Sequence, residues 1–219
     1  MNQRTRIKIC GVAREADVDA AVDAGADAVG FVFHPESPRC LTVERAAELA
    51  DALPPYVTPV GLFVNADPED IAAALDAIPT LLLQFHGDES SDDCALFGRP
   101  YLRAARMTPE LDLLDFARRF SEAQGLLLDA HVEGFGGGGK AFDWSLVPSG
   151  FPAESRRRLV LSGGLHAANV CEGILRVRPW AVDVSSGVES SRGVKDVAAI
   201  RRFCDAVREA DARIAASIA

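Results

Sequence analysis

Short apolar runs alternate eight times with longer amphipathic segments along this chain, and this alternation constrains the fold more than any other feature. Continuous apolar runs are typical of parallel strands that are buried on both faces, and each such strand needs a crossover helix to reach the next. The strands are predicted at about 6–10, 28–33, 56–64, 81–84, 100–104, 126–129, 158–162 and 181–184.

This succession predicts an α/β protein, a (β/α)₈ TIM barrel that forms a single domain over residues 1–219. Closure of a barrel removes exposed edge strands, and eight units fit a chain of this length. A doubly wound open sheet is the alternative, but its dinucleotide-binding glycine fingerprint is absent after the first strand, where Cys10-Gly11-Val12 stands. Helices are predicted at about 15–24, 42–53, from 67, 90–97, 108–120, from 143, 166–176 and 194–210, with Thr42, Asp67 and Asp143 as N-caps.

Composition narrows the classes of function. The 219 residues carry 23 basic and 32 acidic side chains, and the net charge of −9 argues against a nucleic-acid partner. The apolar runs are far shorter than the roughly 18 residues of a membrane-spanning helix, and no signal-peptide core is recognised. Five cysteines without a CxxC pair predict reduced thiols in the cytoplasm, and the four histidines show no ligand spacing, so no metal is expected.

Asp129 ends the sixth predicted strand and is followed by a glycine-rich segment, with four glycines at 136–139 and then Lys140. A carboxylate at the C-terminal end of a parallel barrel strand stands where such enzymes keep their catalytic groups. The alternative is that Asp129 caps the strand and that the glycines form a linker. Lys140 either pairs with an acid or is solvated. Composition predicts that the segment 134–139 is mobile without ligand and ordered with it.

Two glycine-containing turns follow the seventh and eighth strands, a Ser-Gly-Gly run at 162–164 and a Ser-Ser-Gly run at 185–187. Glycines let backbone N–H groups approach a phosphate, and barrel enzymes often bind phosphate between these two loops. The alternative is a pair of ordinary tight turns. The coincidence of two such loops at adjacent strands favours a phosphorylated small-molecule ligand.

Other polar residues stand at strand ends or in loops at the same end of the predicted barrel. Cys10 ends the first strand and is either a reactive thiol or a small packing residue. Arg39, in the loop after the second strand, either binds a ligand carboxylate or forms a salt bridge. Gln84 and His86 either face the ligand or satisfy the barrel core, and Asp183 accepts hydrogen bonds from sugar hydroxyls or from loop amides.

A set of short segments stands in order along essentially the whole chain: Lys8-Ile9-Cys10-Gly11, Gly30-Phe31-Val32-Phe33, Ser37-Pro38-Arg39, Gln84-Phe85-His86-Gly87, Leu128-Asp129, Lys140-Ala141-Phe142-Asp143-Trp144, Ser162-Gly163-Gly164-Leu165 and Val182-Asp183-Val184-Ser185-Ser186-Gly187-Val188-Glu189. Together with the glycine loop, these segments resemble the signatures of the phosphoribosylanthranilate isomerase family. Departures are small: the glycine loop lacks the usual threonine, Phe85 replaces a leucine, and the proline commonly found before Gly193 is absent.

The resemblance implies an Amadori rearrangement in tryptophan biosynthesis, without a cofactor. N-(5′-phosphoribosyl)anthranilate would become 1-(2-carboxyphenylamino)-1-deoxyribulose 5-phosphate, with Asp129 as general acid and Cys10 as general base. A Cys10 thiolate would be favoured by a cation or by positive dipoles. Lys8 shares a face with Cys10 only through the two-residue period of a strand, so it is not expected to help directly and is kept only as a candidate. The remaining implied contacts are Arg39 and His86 with the substrate, Asp183 with the ribose hydroxyls, and the amides around Gly163, Gly164, Ser186 and Gly187 with the phosphate.

Three alternatives stay open at this point. Another phosphate-binding barrel isomerase would be expected to use two aspartates, which the cysteine at position 10 counts against. A flavin-binding barrel could use the same two glycine loops and would be yellow. A non-catalytic ligand-binding barrel would bind without turnover. The sequence does not distinguish a monomer from a homodimer.

Overall fold

A computed structural model describes residues 4–130, 141–148, 151 and 159–217 of the chain. Eight parallel strands form a closed barrel in which each strand pairs with the next and the eighth pairs with the first. The predicted barrel is therefore confirmed, and the open sheet is excluded. The strands are β1 Arg6–Cys10, β2 Ala28–Val32, β3 Thr58–Phe63, β4 Leu82–Phe85, β5 Tyr101–Met107, β6 Gly125–Ala130, β7 Leu159–Leu161 and β8 Ala181–Val184.

Helices connect the strands, and most of them begin at a side chain that caps the first backbone N–H groups. Thr42 and Asp143 accept such bonds as the sequence predicted, and Ser90 forms a capping box with Asp93. Short 3₁₀ turns follow at Trp144–Leu146 and Ser186–Val188. The α-helices described are α1 Glu15–Asp23, α2 Val43–Asp51, α3 Pro68–Ala77, α4 Ser91–Ala95, α5 Leu113–Arg119, α6 Val170–Val177 and α7 Val197–Ala216.

Three predicted helix starts are wrong. The start at His166 is four residues early, because a turn precedes α6, which begins at Val170. The start at Thr108 fails because β5 continues to Met107 and because Asp112 is the residue that caps α5, accepting bonds from the N–H groups of the first turn. The start at residue 194 fails because Val194–Lys195 is a strand, β10, that pairs antiparallel with β9, Glu189–Ser191. Asp196 then caps α7.

The interior of the barrel has an apolar layer below a polar one. Ala104, Leu127, Val160 and Ala181 are register neighbours on β5–β8 and form a separate buried cluster. Because side chains alternate along a strand, the residues two positions later face the same interior, closer to the C-terminal ends. The larger core lies between the strands and the surrounding helices. The barrel therefore directs its polar interior groups towards one end.

No helix in the described ranges is both long enough and apolar enough to cross a membrane.

Candidate active site

Cys10 and Lys8 share the interior face of β1. Both side chains are buried, and the Lys8 Nζ lies 2.9 Å from Oδ1 of Asp183 on the neighbouring strand β8. Gly30 on β2 provides the space for both groups: a Cβ built there would lie 2.8 Å from the Cys10 Sγ and 3.0 Å from the Lys8 Nζ. The thiol and the ammonium therefore occupy one small volume beside a glycine.

The electrostatics of this cluster act on the thiol in opposite directions. Burial raises the pKa of Cys10, the adjacent Lys8 ammonium lowers it, and Asp183 raises it again, so that the pKa lies above its ordinary value. Burial also lowers the pKa of Lys8, but the negative charges of Asp183 and of a Cys10 thiolate outweigh it and raise this pKa. Lys8 is therefore a permanent cation beside the thiol.

Asp129 lies near the end of β6, and three neighbouring groups contact its carboxyl. Nε2 of His86 lies 2.9 Å from Oδ2, and the backbone N–H of Ala130 donates to Oδ1 at 2.9 Å. A Cβ built on Gly163 would lie 2.8 Å from Oδ1, so this glycine borders the carboxyl directly. The site predicted from the strand ends thus brings Asp129, His86 and the β7 loop together.

The loops after β7 and β8 are in contact. A Cβ on Gly187 would lie 1.9 Å from the carbonyl oxygen of Leu165, which no side chain could tolerate. Gly163 and Gly164 have positive φ angles of 74° and 62°, a conformation that glycine adopts without steric cost. The predicted pair of glycine loops therefore meets at one place, at the same end of the barrel as Asp129.

Asp183 lies in the polar interior rather than in a loop. Its Oδ1 accepts from Lys8, and its Oδ2 accepts from the Ser162 hydroxyl at 3.3 Å. The carboxylate thus links β1 and β8 with the residue that follows β7, beneath the two glycine loops. Both of its oxygens already have protein partners, so a ribose hydroxyl would share them.

Arg39 forms a bidentate ion pair, which confirms the salt-bridge alternative, although the sequence did not identify the partner. Its Nε and Nη2 donate to the two oxygens of Glu189 at 2.6 and 2.8 Å, and Lys195 Nζ also donates to Glu189 at 2.9 Å. The Arg39 side chain lies over Gly11, where a Cβ would approach its Cδ to 2.3 Å. The guanidinium is therefore held beside Cys10 by a carboxylate distant in sequence.

Burial raises the pKa of Glu189, but hydrogen bonds from Arg39 and Lys195 and the charge of Lys195 lower it to about 2 overall. Glu189 stood inside a matched segment without an assigned role, and Lys195 stood in a predicted helix. No pattern in the sequence indicates that these two residues interact. The pairing of β9 with β10 is what brings their charges together. The glycine-rich segment 134–139 and Lys140 lie outside the described residues.

Among the residues that the structure describes, no group of three or more His, Cys, Asp or Glu side chains is arranged to hold a metal ion. What the site offers is a buried thiol beside a cation, a carboxyl hydrogen-bonded to an imidazole, an arginine, and two touching glycine loops. The thiol and the carboxyl–imidazole pair can exchange protons with a ligand, while the arginine and the loop amides are groups that suit a carboxylate and a phosphate.

Comparison with known proteins gives a consistent result. The family model of N-(5'-phosphoribosyl)anthranilate (PRA) isomerase matches residues 7–206. The N-(5'-phosphoribosyl)anthranilate isomerase of Methylibium petroleiphilum is 72% identical over 214 residues, which cover 98% of this chain and 99% of the relative.

Two solved structures share the fold. Monomers of the dimeric phosphoribosylanthranilate isomerase from Thermotoga maritima match with a TM-score of 0.80 and 38% identity, covering 94% of this chain and 99% of that one. A phosphoribosylanthranilate isomerase in complex with reduced 1-(o-carboxyphenylamino)-1-deoxyribulose 5-phosphate matches with a TM-score of 0.79, 38% identity and the same coverage. The chain belongs to the N-(5'-phosphoribosyl)anthranilate isomerase family.

Proposed function

We propose that this chain catalyses the Amadori rearrangement of N-(5′-phosphoribosyl)anthranilate with Asp129 as general acid and Cys10 as general base. The observation that carries the assignment is the placement of these two groups. Each stands near the C-terminal end of a barrel strand, at the end where the glycine loops after β7 and β8 meet. Neither side chain is exposed, so both can exchange protons with a bound substrate away from bulk water.

The first step opens the ribose ring. Asp129 donates its proton to the furanose ring oxygen, the bond from that oxygen to C1′ breaks, and its electron pair stays on the oxygen as a hydroxyl forms. The lone pair of the anilino nitrogen closes the iminium at C1′. Donors from His86 and Ala130 to the Asp129 carboxyl stabilise the negative charge that remains there.

The second step moves the double bond. The Cys10 thiolate removes the proton from C2′, and the electron pair of that C–H bond forms the enolamine while the nitrogen regains its lone pair. Tautomerisation of the enolamine at C1′ and O2′ then gives the ketone 1-(2-carboxyphenylamino)-1-deoxyribulose 5-phosphate. The substrate's own nitrogen serves as electron sink, so the proposal includes no cofactor.

Lys8 supports the base. Burial alone would hold Cys10 as a neutral thiol, whereas the adjacent ammonium favours the thiolate that the second step needs. Asp183 keeps Lys8 in place and attenuates its effect. The pair therefore sets the proton affinity of Cys10 from inside the barrel.

The remaining predicted residues bind the substrate. Arg39 would hold the anthranilate carboxylate with the part of its guanidinium that Glu189 leaves available, and His86 would border the ribose beside Asp129. Asp183 would accept from a ribose hydroxyl. The backbone amides around Gly163, Gly164, Ser186 and Gly187 would hold the phosphate, since glycine loops that meet above parallel strands suit an anion.

We also propose that residues 1–219 act as one isomerase domain in the cytoplasm, as a monomer or a homodimer, with a phosphorylated small molecule and no nucleic acid as partner. The dimeric Thermotoga maritima relative supports the dimer, and the net charge of −9 supports the absence of a nucleic-acid partner.

Turnover of freshly generated phosphoribosylanthranilate, followed by the loss of its fluorescence, tests the activity. Conversion by the purified, colourless protein without added metal or cofactor is the expected result. Binding of the reduced product analogue without any turnover of substrate would contradict the proposal and favour a non-catalytic barrel.

A further inference from the structure

Gln84 lies on β4 and is completely buried inside the barrel. His86 follows two residues later, just after the end of β4, and faces the same interior. Its Nε2 lies 3.4 Å from Nδ1 of His86, whose Nε2 lies 2.9 Å from Oδ2 of Asp129. Three side chains thus form a continuous hydrogen-bonded series that ends on the proposed general acid. The proposed mechanism does not use Gln84.

The carbonyl oxygen of the Gln84 amide is in an unusual environment. This atom, Oε1, is buried and has no hydrogen-bond partner among the described residues. A buried carbonyl oxygen without a partner is unfavourable, because it has lost its hydrogen bonds to water. The amide nevertheless turns its N–H group, and not this oxygen, towards His86. The geometry therefore uses Gln84 as a donor.

A donor at Nδ1 determines which ring nitrogen of His86 carries the hydrogen. In a neutral imidazole one nitrogen donates and the other accepts, so an Nδ1 that accepts from Gln84 leaves the hydrogen on Nε2. That hydrogen points at Oδ2 of Asp129. The opposite tautomer would direct a lone pair at the carboxylate and repel it.

We propose that Gln84 is a positioning residue that holds His86 as the Nε2–H tautomer, so that the imidazole donates to Asp129 as this acid loses its proton. The inference deepens the proposed function and rests on the role of Asp129 given there. When the Asp129 O–H bond breaks, its electron pair remains on the carboxylate, and the fixed donor stabilises that charge. Gln84 itself exchanges no proton and touches no substrate.

Nitrogen-15 NMR of the imidazole tests the tautomer without turnover. In the unliganded wild-type protein at about pH 8.5, above the ordinary titration range of histidine, we expect the hydrogen of His86 on Nε2. The resonance is assigned by its loss in His86→Asn. A hydrogen on Nδ1 in the wild type would overturn the proposal.

Two variants test the consequence. Gln84→Met keeps the length of the side chain and removes the donor, so we expect kcat to fall about 2- to 12-fold, the loss of one hydrogen bond, with KM unchanged. Gln84→Glu offers only acceptors, so we expect a hydrogen on Nδ1 at the same pH and a larger loss of kcat. Leu83→Met, a buried change on the opposite face of β4, is the matched control and should leave the His86 spectrum unaltered.

If Gln84 only fills space, Gln84→Met will keep the wild-type kcat, pH profile and His86 resonances, and the proposal is then wrong. This variant decides the question even if Gln84→Glu does not fold. Absence of wild-type turnover would contradict the proposed function instead, while the spectrum would still decide the tautomer.

Discussion

The ammonium of Lys8 lies 2.9 Å from a carboxylate oxygen of Asp183 in the interior of the barrel, and both side chains are almost completely buried. The same ammonium adjoins the thiol of Cys10. A buried pair of this kind contributes little net stability, but loss of one partner leaves the other charged and uncompensated. Its consequence for the chemistry is that the thiol lies beside a positive charge that is itself held in place.

Lys8→Met should raise the pKa of Cys10 further. Burial already raises this pKa, and Lys8 is the first cause that opposes it, so its removal leaves burial and Asp183 acting in the same direction. The pH at which alkylation of the Cys10 thiol accelerates should move upward relative to the wild type, with the other cysteines resolved by peptide mapping.

Asp183→Asn is the matched control, because Asp183 raises the pKa of Cys10 and its loss should move the alkylation profile downward. Both single variants should unfold about 3–5 kcal/mol more easily, the usual result when one partner of a buried ion pair is removed. Identical alkylation profiles in the wild type and in both variants would show that the pair does not act on the thiol.

Glu189→Gln should destabilise the protein in a pH-dependent way. The pKa of Glu189 is lowered from 4.5 to about 2, since the bonds from Arg39 and Lys195 outweigh burial. A lowered carboxyl pKa contributes stability above the ordinary value, and this contribution is lost as the pH falls through about 2. Urea unfolding at about pH 7 should show a loss of about 1.5–3 kcal/mol, the range for a hydrogen bond to a charged group.

The difference between wild type and Glu189→Gln should shrink as the pH falls below about 4.5. Glu36→Gln, at an exposed position, should change the unfolding free energy little at any pH. A deficit of Glu189→Gln that is constant from neutral to acidic pH would mean that packing, and not the ionised carboxylate, is what the substitution removes.

Gly163→Ala should impair catalysis, because the added methyl group would clash with the carboxyl of Asp129, the proposed general acid. Its Cβ would lie 2.3 Å from the backbone N of Ala130 and 2.8 Å from Oδ1 of Asp129, at a φ of 74°. We expect kcat to fall by more than tenfold, together with a loss of stability, measured by steady-state kinetics and urea unfolding.

Gly98→Ala separates backbone strain from the effect on the carboxyl. Gly98 also has a positive φ, 58°, but a Cβ there meets nothing within 4 Å. This control should lose about 1–2 kcal/mol of stability from the left-handed conformation alone and keep the wild-type kcat. Equal loss of kcat in both variants would exclude a local effect at Asp129.

Much of the fold was predictable because its determinants are local. The strand bounds of β1 and β8 agree with the prediction, and the caps at Thr42 and Asp143 were predicted correctly from residue type. Asp67 is the N-cap residue of α3, as predicted, but its side chain makes no cap hydrogen bond. The family assignment is confirmed as well.

Two of the three wrong helix starts occur where pairing between strands determines the structure. Thr108-Pro109 is typical of a helix start, but no helix begins there, because β5 continues along β6 to Met107, which pairs with Ala130. Residues 194–195 leave the predicted helix because Lys195 reaches Glu189 across a two-stranded sheet.

The candidate site was predictable as a set of positions but not as a set of contacts. Strand ends placed Cys10 and Asp129 at one end of the barrel, and the two-residue strand period placed Lys8 with Cys10. No local pattern indicates that Arg39 pairs with Glu189, 150 residues away, or that His86 contacts Asp129 across 43 residues. Such contacts depend on the closure of the barrel, which a linear pattern does not encode.

The acid–base pair is the central claim, and the turnover of phosphoribosylanthranilate by Cys10→Ser and Asp129→Asn tests it most directly. Each variant should keep its fold by circular dichroism, bind the reduced product analogue, and lose about 10²–10⁴-fold in kcat, the typical contribution of general acid–base catalysis. A folded variant of either kind that turns over the substrate at the wild-type rate would contradict the account.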